Sequence, residues 1–393
     1  MQSIVILSAQ RTAIGSFLGS LSGFSPAELG TFVAKSAISK ANVDANAIEH
    51  SVFGHIITTS PADAYLARDI ALRSGLPVSS TAMNVNRLCG SSVQAIISAM
   101  QMLQLEDCQL ALAGGAEVMS RGAYLLPNVR QGLRMGHSTT TDLTLGILTD
   151  PFGSGHMGIT AERIAKQFGF SRQELDEFSL FSQQKATKAQ KEQRFNGQIV
   201  SIDVAKGRES VGFQTDEHVK HDSTLEQLAK LRPAFDKDGI VTAGNSSGLN
   251  DGAAALVLST EQFAMAHGLK PRAKILAYSF AGVDPTVMGL GPIPAVNKLL
   301  QKTGIKIEDI DVIESNEAFA AQALAVSKTL GFTESQVNPN GGAIALGHPV
   351  GATGAILLTK TVYELERTSK RLGLVTMCIG GGQGIAMLIE RCS

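Results

Sequence analysis

Neither sign of charge dominates this sequence. Its 34 Lys and Arg stand against 35 Asp and Glu, a formal net charge of −1. The global basic field that draws nucleic acid or an anionic membrane is therefore missing, and any anionic ligand must be held by local groups. Cysteine is scarce. Cys89, Cys108, Cys378 and Cys392 fall without framework spacing, which favours free thiols in a reducing compartment. With no CxxC pair or Cys/His cluster, no metal site is expected. Long apolar runs are missing too, and none approaches membrane-span length. The first run, Ile4-Val5-Ile6-Leu7, is short and lacks a basic leader, so it reads as a strand rather than a signal peptide. A soluble, cytoplasmic protein is predicted.

What is present is core. The chain has 393 residues, 44% of them hydrophobic, enough for two or three domains. Residues 4–8, 48–54 and 110–113 read as strands, alternating with helical patterns at 27–41, 68–74 and after Cys89. That alternation implies an α/β domain with a buried, largely parallel sheet. From about residue 120 the character changes to irregular sequence, two amphipathic helices at 159–168 and 172–190, and a long polar stretch; it reads as an insertion over the core. After about residue 252 the first pattern returns. Residues 51–54 align with 311–314, the Cys89 turn with the His348 turn, and 110–117 with 374–381, each roughly 260 residues on, as in a duplicated unit. The expected organisation is an N-terminal α/β half at 1–119 and 250–270, a loop domain inserted at 120–249, and a C-terminal α/β half at 271–393. Cys89 and His348 would then meet across a pseudo-twofold axis.

Four stretches carry chemistry. Cys89-Gly90-Ser91-Ser92 opens a helical run in which Val93, Ile96, Ile97 and Met100 recur at helical spacing. A lone cysteine is more often a buried core residue. At a helix start, however, the dipole and free N–H groups favour a thiolate. Ser91 and Ser92 suit a helix start, and Gly90 would leave room for a ligand to approach the backbone. Asn316-Glu317-Ala318-Phe319 follows a strand; Gly347-His348-Pro349 ends a glycine-rich run; Cys378 precedes Gly380-Gly381-Gly382. Together they offer a nucleophile, a base, a second thiol, an amide and backbone donors, the parts of acyl transfer through a covalent thioester.

With these residues in place the sequence resembles the thiolases, the acetyl-CoA acetyltransferase / β-ketothiolase family, nearly end to end from Ser8-Ala9-Gln10-Arg11-Thr12 to Gly384. His156-Met157-Gly158 and residues 220–235 look most like short-chain, biosynthetic-type members, and residues 143–152 like β-ketothiolases that take slightly longer acyl groups. The resemblance implies duplicated α/β halves in five layers, α-β-α-β-α, with an inserted loop domain. It implies an acyltransferase of fatty-acid metabolism, with coenzyme A as substrate and product and no separate cofactor. Cys89 would be acylated, His348 would take its proton, and Cys378 would move the α-proton of the second acetyl-CoA. Asn316 would hold a water that, with His348, stabilises the enolate oxygen. The N–H groups of Cys89 and Gly380 would form the other oxyanion hole. By the same resemblance His156, Met157, Phe235, Ala243, Ser247, Leu249, Ala318 and Phe319 line the CoA tunnel, with Lys220 near its nucleotide end beside His218 and His221. Members are dimers or dimer pairs, and residues 124–148 would serve a homotetramer.

Departures from the family pattern are Ser92 where Gly is frequent, which would tighten the wall near the nucleophile, Lys220 for Arg, and Ser315 for Ala. Residues 164–175 imitate a helix-turn-helix, but Glu174, Asp176 and Glu177 and the near-neutral charge argue against DNA. Competing readings are a degradative 3-ketoacyl-CoA thiolase of β-oxidation with longer-chain preference and a thiolase-like CoA-binding protein without turnover. A carrier-protein-dependent condensing enzyme would carry Cys with two histidines, against which Cys378 and the Asn316 stretch argue.

Overall fold

The computed structural model describes residues 2–392; Met1 and Ser393, the outer bounds of the two expected halves, lie outside them. The strands that build the halves are β1 (Ile4–Thr12), β2 (His50–Gly54), β3 (Thr81–Val85), β4 (Leu110–Val118), β5 (Asn250–Thr260), β6 (Ala273–Gly282), β7 (Val312–Ser315), β8 (Leu372–Ile379) and β9 (Gln383–Arg391). In the first half they lie in the order β3-β2-β4-β5-β1. Strand β2 is parallel to β3 and β4, while β5 is antiparallel to β4 and β1. The second half runs β7-β8-β9-β6, with β7 parallel to β8 and β9 antiparallel to β8 and β6. A parallel bridge from Ile313 to Val337 occupies the place of β3. Both halves thus wind in one order and with one set of strand senses. Strands β1 and β6 pair antiparallel, Ile4 opposite Ile275 and Ile6 opposite Ala273, joining the two sheets edge to edge.

Five helices complete the layers: α1 (Pro26–Ala41), α2 (Ser91–Gln104), α3 (Pro292–Thr303), α4 (Ala320–Leu330) and α5 (Thr353–Thr368). Strand alternation sends successive side chains to opposite faces. Val5, Leu7, Leu110 and Leu112 pack outward with Leu29 and Val33 of α1. Their neighbours Ile4, Ile6, Ala111 and Ala113 face inward, with Val93 and Ile97 of α2 and Ile356 of α5. On the other sheet Ile385 and Met387 join that inner core, while Ala386 and Leu388 face outward with Val296 and Leu299 of α3. The result is helix, sheet, paired central helices, sheet, helix. Helix α1 begins on a Ser25/Glu28 capping box with Pro26 in its first turn.

Between β4 and β5 run residues 119–249, whereas only Gly380, Gly381 and Gly382 separate β8 from β9. Two helices of the long connection, Met157–Phe168 and Arg172–Lys191, lie on the second half: Ile164, Ala165 and Leu175 bury against Ala320, Ala321 and Ile344. The turn between them is set by a Ser171/Glu174 capping box, which accounts for its helix-turn-helix look. Among the described residues no helix is long and apolar enough to cross a membrane.

Candidate active site

The two halves deliver their chemistry from matching turns. In the first, β3 leads through Leu88, a non-glycine residue at φ 47°, to Cys89 and α2. Strain of this kind persists only where the surroundings over-determine it. Here Ser91 Oγ donates to Leu88 O at 2.6 Å and accepts from Arg87 N–H at 2.9 Å. Helix α2 starts at Ser91, as expected, with Gly90 as its cap. Two expectations about this turn are corrected. The space beside the Gly90 Cα is closed to ligand: a Cβ there would lie 2.6 Å from Ile379 Cδ1. Ser92 does not tighten the wall beside the nucleophile, because it is fully buried and its Oγ accepts from Ala355 N–H of α5 at 2.9 Å. The central helices are thereby tied together across the halves.

The matching turn of the second half carries His348 before α5. Its N–H donates to Asn250 Oδ1 at 2.9 Å. Gly347, at φ 108°, lies so close to Asn250 that a Cβ would fall 2.5 Å from Cγ. His348 Nδ1 meets Thr353 Oγ1 at 2.7 Å, and Nε2 lies 3.4 Å from Asn316 Nδ2. Asn316 leaves β7 with its N–H on Thr376 O at 3.0 Å, and its Oδ1 is buried without a partner among the described residues. The following helix starts at Ala320, because Phe319 is extended against Ser246 and Ala320 N–H donates to Asn245 O.

Cys89, His348, Cys378 and Gly380 line one narrow, mostly apolar cavity. Its Cys378 end is formed by Met157, Met288, Ala318 and Phe319, with Phe235 packed against them. Its Cys89 end is formed by Ile56, Ile147, Leu148 and Val350, with Leu249 packed against that cluster rather than lining the cavity. His156 and Ser247 complete the lining, and His156 stacks on Phe235 at 4.6 Å. Gly158 is needed there, since a Cβ would lie 2.2 Å from the Phe235 ring. Two of the expected tunnel residues lie elsewhere: Ala243 is exposed, and Lys220 is exposed on a separate depression with Lys188, Lys191 and His221. His218 adds no positive charge, since burial pushes it down to about 4.

Electrostatics reverse the expectation of a resting thiolate. Burial pushes the Cys89 thiol up to about 11, outweighing the Gly380 N–H and its own N–H, both of which are directed at the sulfur. Burial drives Cys378 further up, reinforced by the neighbouring Cys89. It pushes His348 down to about 4. A helix start favours a thiolate by a modest amount, while removing charge from water costs more. The resting pair at neutral pH is a thiol and a neutral imidazole, and a proton must move as the sulfur attacks.

The chain matches the family models "Thiolase, N-terminal domain" over residues 4–262 and "Thiolase, C-terminal domain" over residues 269–391. It belongs to the thiolase family. It is 51% identical to the β-ketothiolase BktB of Cupriavidus necator, with 99% of each chain covered. It is 48% identical to the acetyl-CoA acetyltransferase of Escherichia coli over the whole of both chains. Among solved structures, the Bacillus anthracis acetyl-CoA acetyltransferase superposes with a TM-score of 0.97 at 43% identity, covering 100% of this chain and 99% of that one. Human mitochondrial 3-ketoacyl-CoA thiolase does so at 0.96 and 39%, with the same coverage. This thiolase is therefore an acyltransferase of the duplicated α/β type.

Several residues of the thiolase site escaped the sequence reading, Ile56 and Val350 of the cavity lining among them. Asn250 and Thr353 orient His348, and Met288 lines the cavity. Glu117 is wholly buried behind Cys89 and accepts from three backbone N–H groups. The one signal for Glu117 was a carboxylate closing an otherwise apolar strand, directly after Gly114-Gly115-Ala116.

Proposed function

We propose that this thiolase catalyses the reversible Claisen condensation of two acetyl-CoA to acetoacetyl-CoA and CoA, and the thiolytic cleavage of short-chain 3-ketoacyl-CoA, through an acyl thioester on Cys89. The observation that carries the reading is the convergence of the half-buried Cys89 thiol, the buried Cys378 thiol and the buried His348 imidazole on one apolar cavity. In the cleavage direction Cys89 attacks the 3-keto carbonyl and its proton passes to His348 Nε2. The bond between the α- and β-carbons breaks, leaving the acyl group on Cys89 and the enolate of acetyl-CoA. Cys378, a thiol at rest, gives its proton to the enolate carbon. The resulting Cys378 thiolate takes the proton of incoming CoA, whose sulfur attacks the acyl group. Cys89 leaves and recovers its proton from His348. Condensation is the reverse.

Charge builds twice on oxygen in this sequence. The N–H groups of Cys89 and Gly380, already aimed at the Cys89 sulfur, suit the oxyanion of the thioester; losing one such donor costs about 3 kcal/mol of transition-state stabilisation. The unpartnered Asn316 Oδ1 suits a water that donates to it and to the enolate oxygen. The narrow path past Met157, the His156–Phe235 stack, Ser247, Ala318 and Phe319 suits a pantetheine arm. Lys220, with Lys188 and Lys191, suits the anionic nucleotide end. Exposed Tyr124, Leu125, Val129, Leu133 and Met135 support assembly into a homotetramer through this segment.

Kinetics in both directions on acetoacetyl-CoA, 3-ketohexanoyl-CoA and 3-ketooctanoyl-CoA test the reading. The short-chain assignment requires kcat/KM to fall with chain length. A rise would assign the longer-chain degradative role, and absence of CoA-dependent turnover would leave only binding.

A further inference from the structure

Behind Cys89 lies a buried charged group that the chemistry above does not use. Glu117 closes β4 with no exposed surface. One oxygen accepts from Ile56 N–H at 3.1 Å and Gly351 N–H at 3.0 Å, and the other from Ile57 N–H at 3.1 Å. His55 Nδ1 lies 3.1 Å from Glu117 Oε1, and its Nε2 lies 3.4 Å from Asp63 Oδ2. Burial works against the imidazolium, but the charges and hydrogen bonds of Glu117 and Asp63 outweigh it and hold His55 up to about 10. Glu117 and His55 thus face each other at ion-pair distance, the pairing that buried charged groups require.

The groups Glu117 holds are informative. Ile56 and the residue before Gly351, Val350, both line the cavity at its Cys89 end. They come from different halves of the chain, and neither lies in a strand. One carboxylate pins both backbones. Gly351 is shaped for this contact: a Cβ there would lie 2.4 Å from Glu117 Oε2 and 3.2 Å from His55 Cα. Ile56 and Val350, with Ile147 and Leu148, present only hydrocarbon to an acyl group on Cys89.

We infer that the Glu117–His55 pair is a positioning device that fixes Ile56 and Val350 as the end wall of the acyl pocket, and that these two side chains set the acyl length accepted on Cys89. The inference rests on the thiolase reaction proposed above and adds what limits its substrate. A hydrophobic wall discriminates by about 10- to 200-fold per methylene, so removing part of it has a readable effect. Loosening the wall through Glu117 has the same direction without touching the cavity lining.

The test is the ratio of kcat/KM for 3-ketohexanoyl-CoA to that for acetoacetyl-CoA, in thiolysis, on the full-length protein. Val350→Ala and Ile56→Ala are each expected to raise it about tenfold. Glu117→Gln keeps the size but gives up one acceptor oxygen, and is expected to raise the ratio several-fold, mainly through KM. Glu117→Asp, which keeps the charge but shortens the reach, is expected to raise it as well. His55→Gln is the second variant for the pair, should Glu117→Gln not fold. Ratios within twofold of wild type in Val350→Ala and Ile56→Ala overturn the wall. A Glu117→Gln or His55→Gln protein that loses activity equally on both substrates overturns the positioning role, leaving the pair merely structural. Wild-type protein that cleaves neither substrate overturns the thiolase reading itself, and is distinguishable from turnover at an unchanged ratio.

Discussion

His348 Nδ1 and Thr353 Oγ1 lie 2.7 Å apart, and the bond between them runs one way. Thr353 has a single hydroxyl proton, and it goes to Pro349 O at 2.9 Å. The hydroxyl is therefore the acceptor for His348, Nδ1 carries the ring proton, and Nε2 presents its lone pair toward Asn316 and the cavity. The second ring nitrogen of a histidine is set by what the first one bonds, and here the partner comes from the first turn of α5. A base pointing at the site is thus written into the same helix start that positions it.

Thr353→Val should disturb this without changing side-chain volume much. The ring loses its acceptor, and the wrong tautomer becomes competitive. The expected loss is roughly 10- to 100-fold in kcat with little change in KM, less than the roughly 100- to 10,000-fold of removing a general base outright, because the base is kept and only its tautomer is unsettled. Thr353→Ser, which keeps the acceptor, should retain most activity. Steady-state thiolysis of acetoacetyl-CoA by both variants checks this; equal losses in the two would point to packing rather than to the tautomer.

The ionisation states predict how Cys89 reacts with pH. His348 is pushed down to about 4 and the Cys89 thiol up to about 11, so both stay neutral from mildly acidic to mildly alkaline solution. Alkylation of Cys89 by iodoacetamide should then accelerate about tenfold per pH unit from about pH 7 to about pH 10, because the thiolate is the reactive species. A rate already flat near neutrality, with the label on the Cys89 peptide, would indicate a preformed imidazolium–thiolate pair and contradict the burial argument.

The parts of the site that could be read in the sequence are those whose residue type is itself the chemistry. Cys89, His348 and Cys378 stood out because few side chains can act as nucleophile or base, and the structure gathers them on one cavity. The strands were legible because a buried sheet needs apolar runs such as Ile4-Val5-Ile6-Leu7, and the duplication because both halves repeat one strand order. What stayed hidden depends on distance in the fold rather than on residue type. The charge state of Cys89 follows from burial by the other half, which a local helix-start argument cannot see. Ser92 turned out to serve Ala355, more than 260 positions away. Glu117 and His55 carry no local signal of their role, because the Gly351 N–H that Glu117 holds comes from 234 positions away.

Ser92 offers a separation of stability from activity. Ser92→Ala would leave the buried Ala355 N–H without its acceptor, at a cost of about 1–3 kcal/mol. Chemical denaturation should show that loss in the midpoint with the slope unchanged. Because Ser92 Oγ points between the central helices and not into the cavity, KM for acetoacetyl-CoA should stay within about twofold of wild type. A large KM change with unaltered stability would return Ser92 to the wall of the nucleophile's pocket.

The two thiols divide the reaction, and Cys378→Ser tests the division. Cys378 is buried at the end of β8 among Met157, Met288 and Phe319, and burial holds it as a thiol at rest. Acyl transfer onto Cys89 from acetyl-CoA needs His348 and an oxyanion hole, but no second thiol. Moving the α-proton does need one. Serine keeps the shape but has a much weaker tendency to ionise, so it can neither give up nor recover that proton at a useful rate. Cys378→Ser should still form the acetyl-enzyme from acetyl-CoA, seen as a mass shift on the Cys89 peptide. It should fail to exchange the α-deuterium of labelled acetyl-CoA with water and to make acetoacetyl-CoA. Both should be measured on the same preparation, acetyl-enzyme by rapid acid quench and deuterium wash-out by mass spectrometry. If trapping and wash-out fall by the same factor, Cys378 acts in the first half-reaction too, or holds the cavity together, and the proton path proposed for it is wrong.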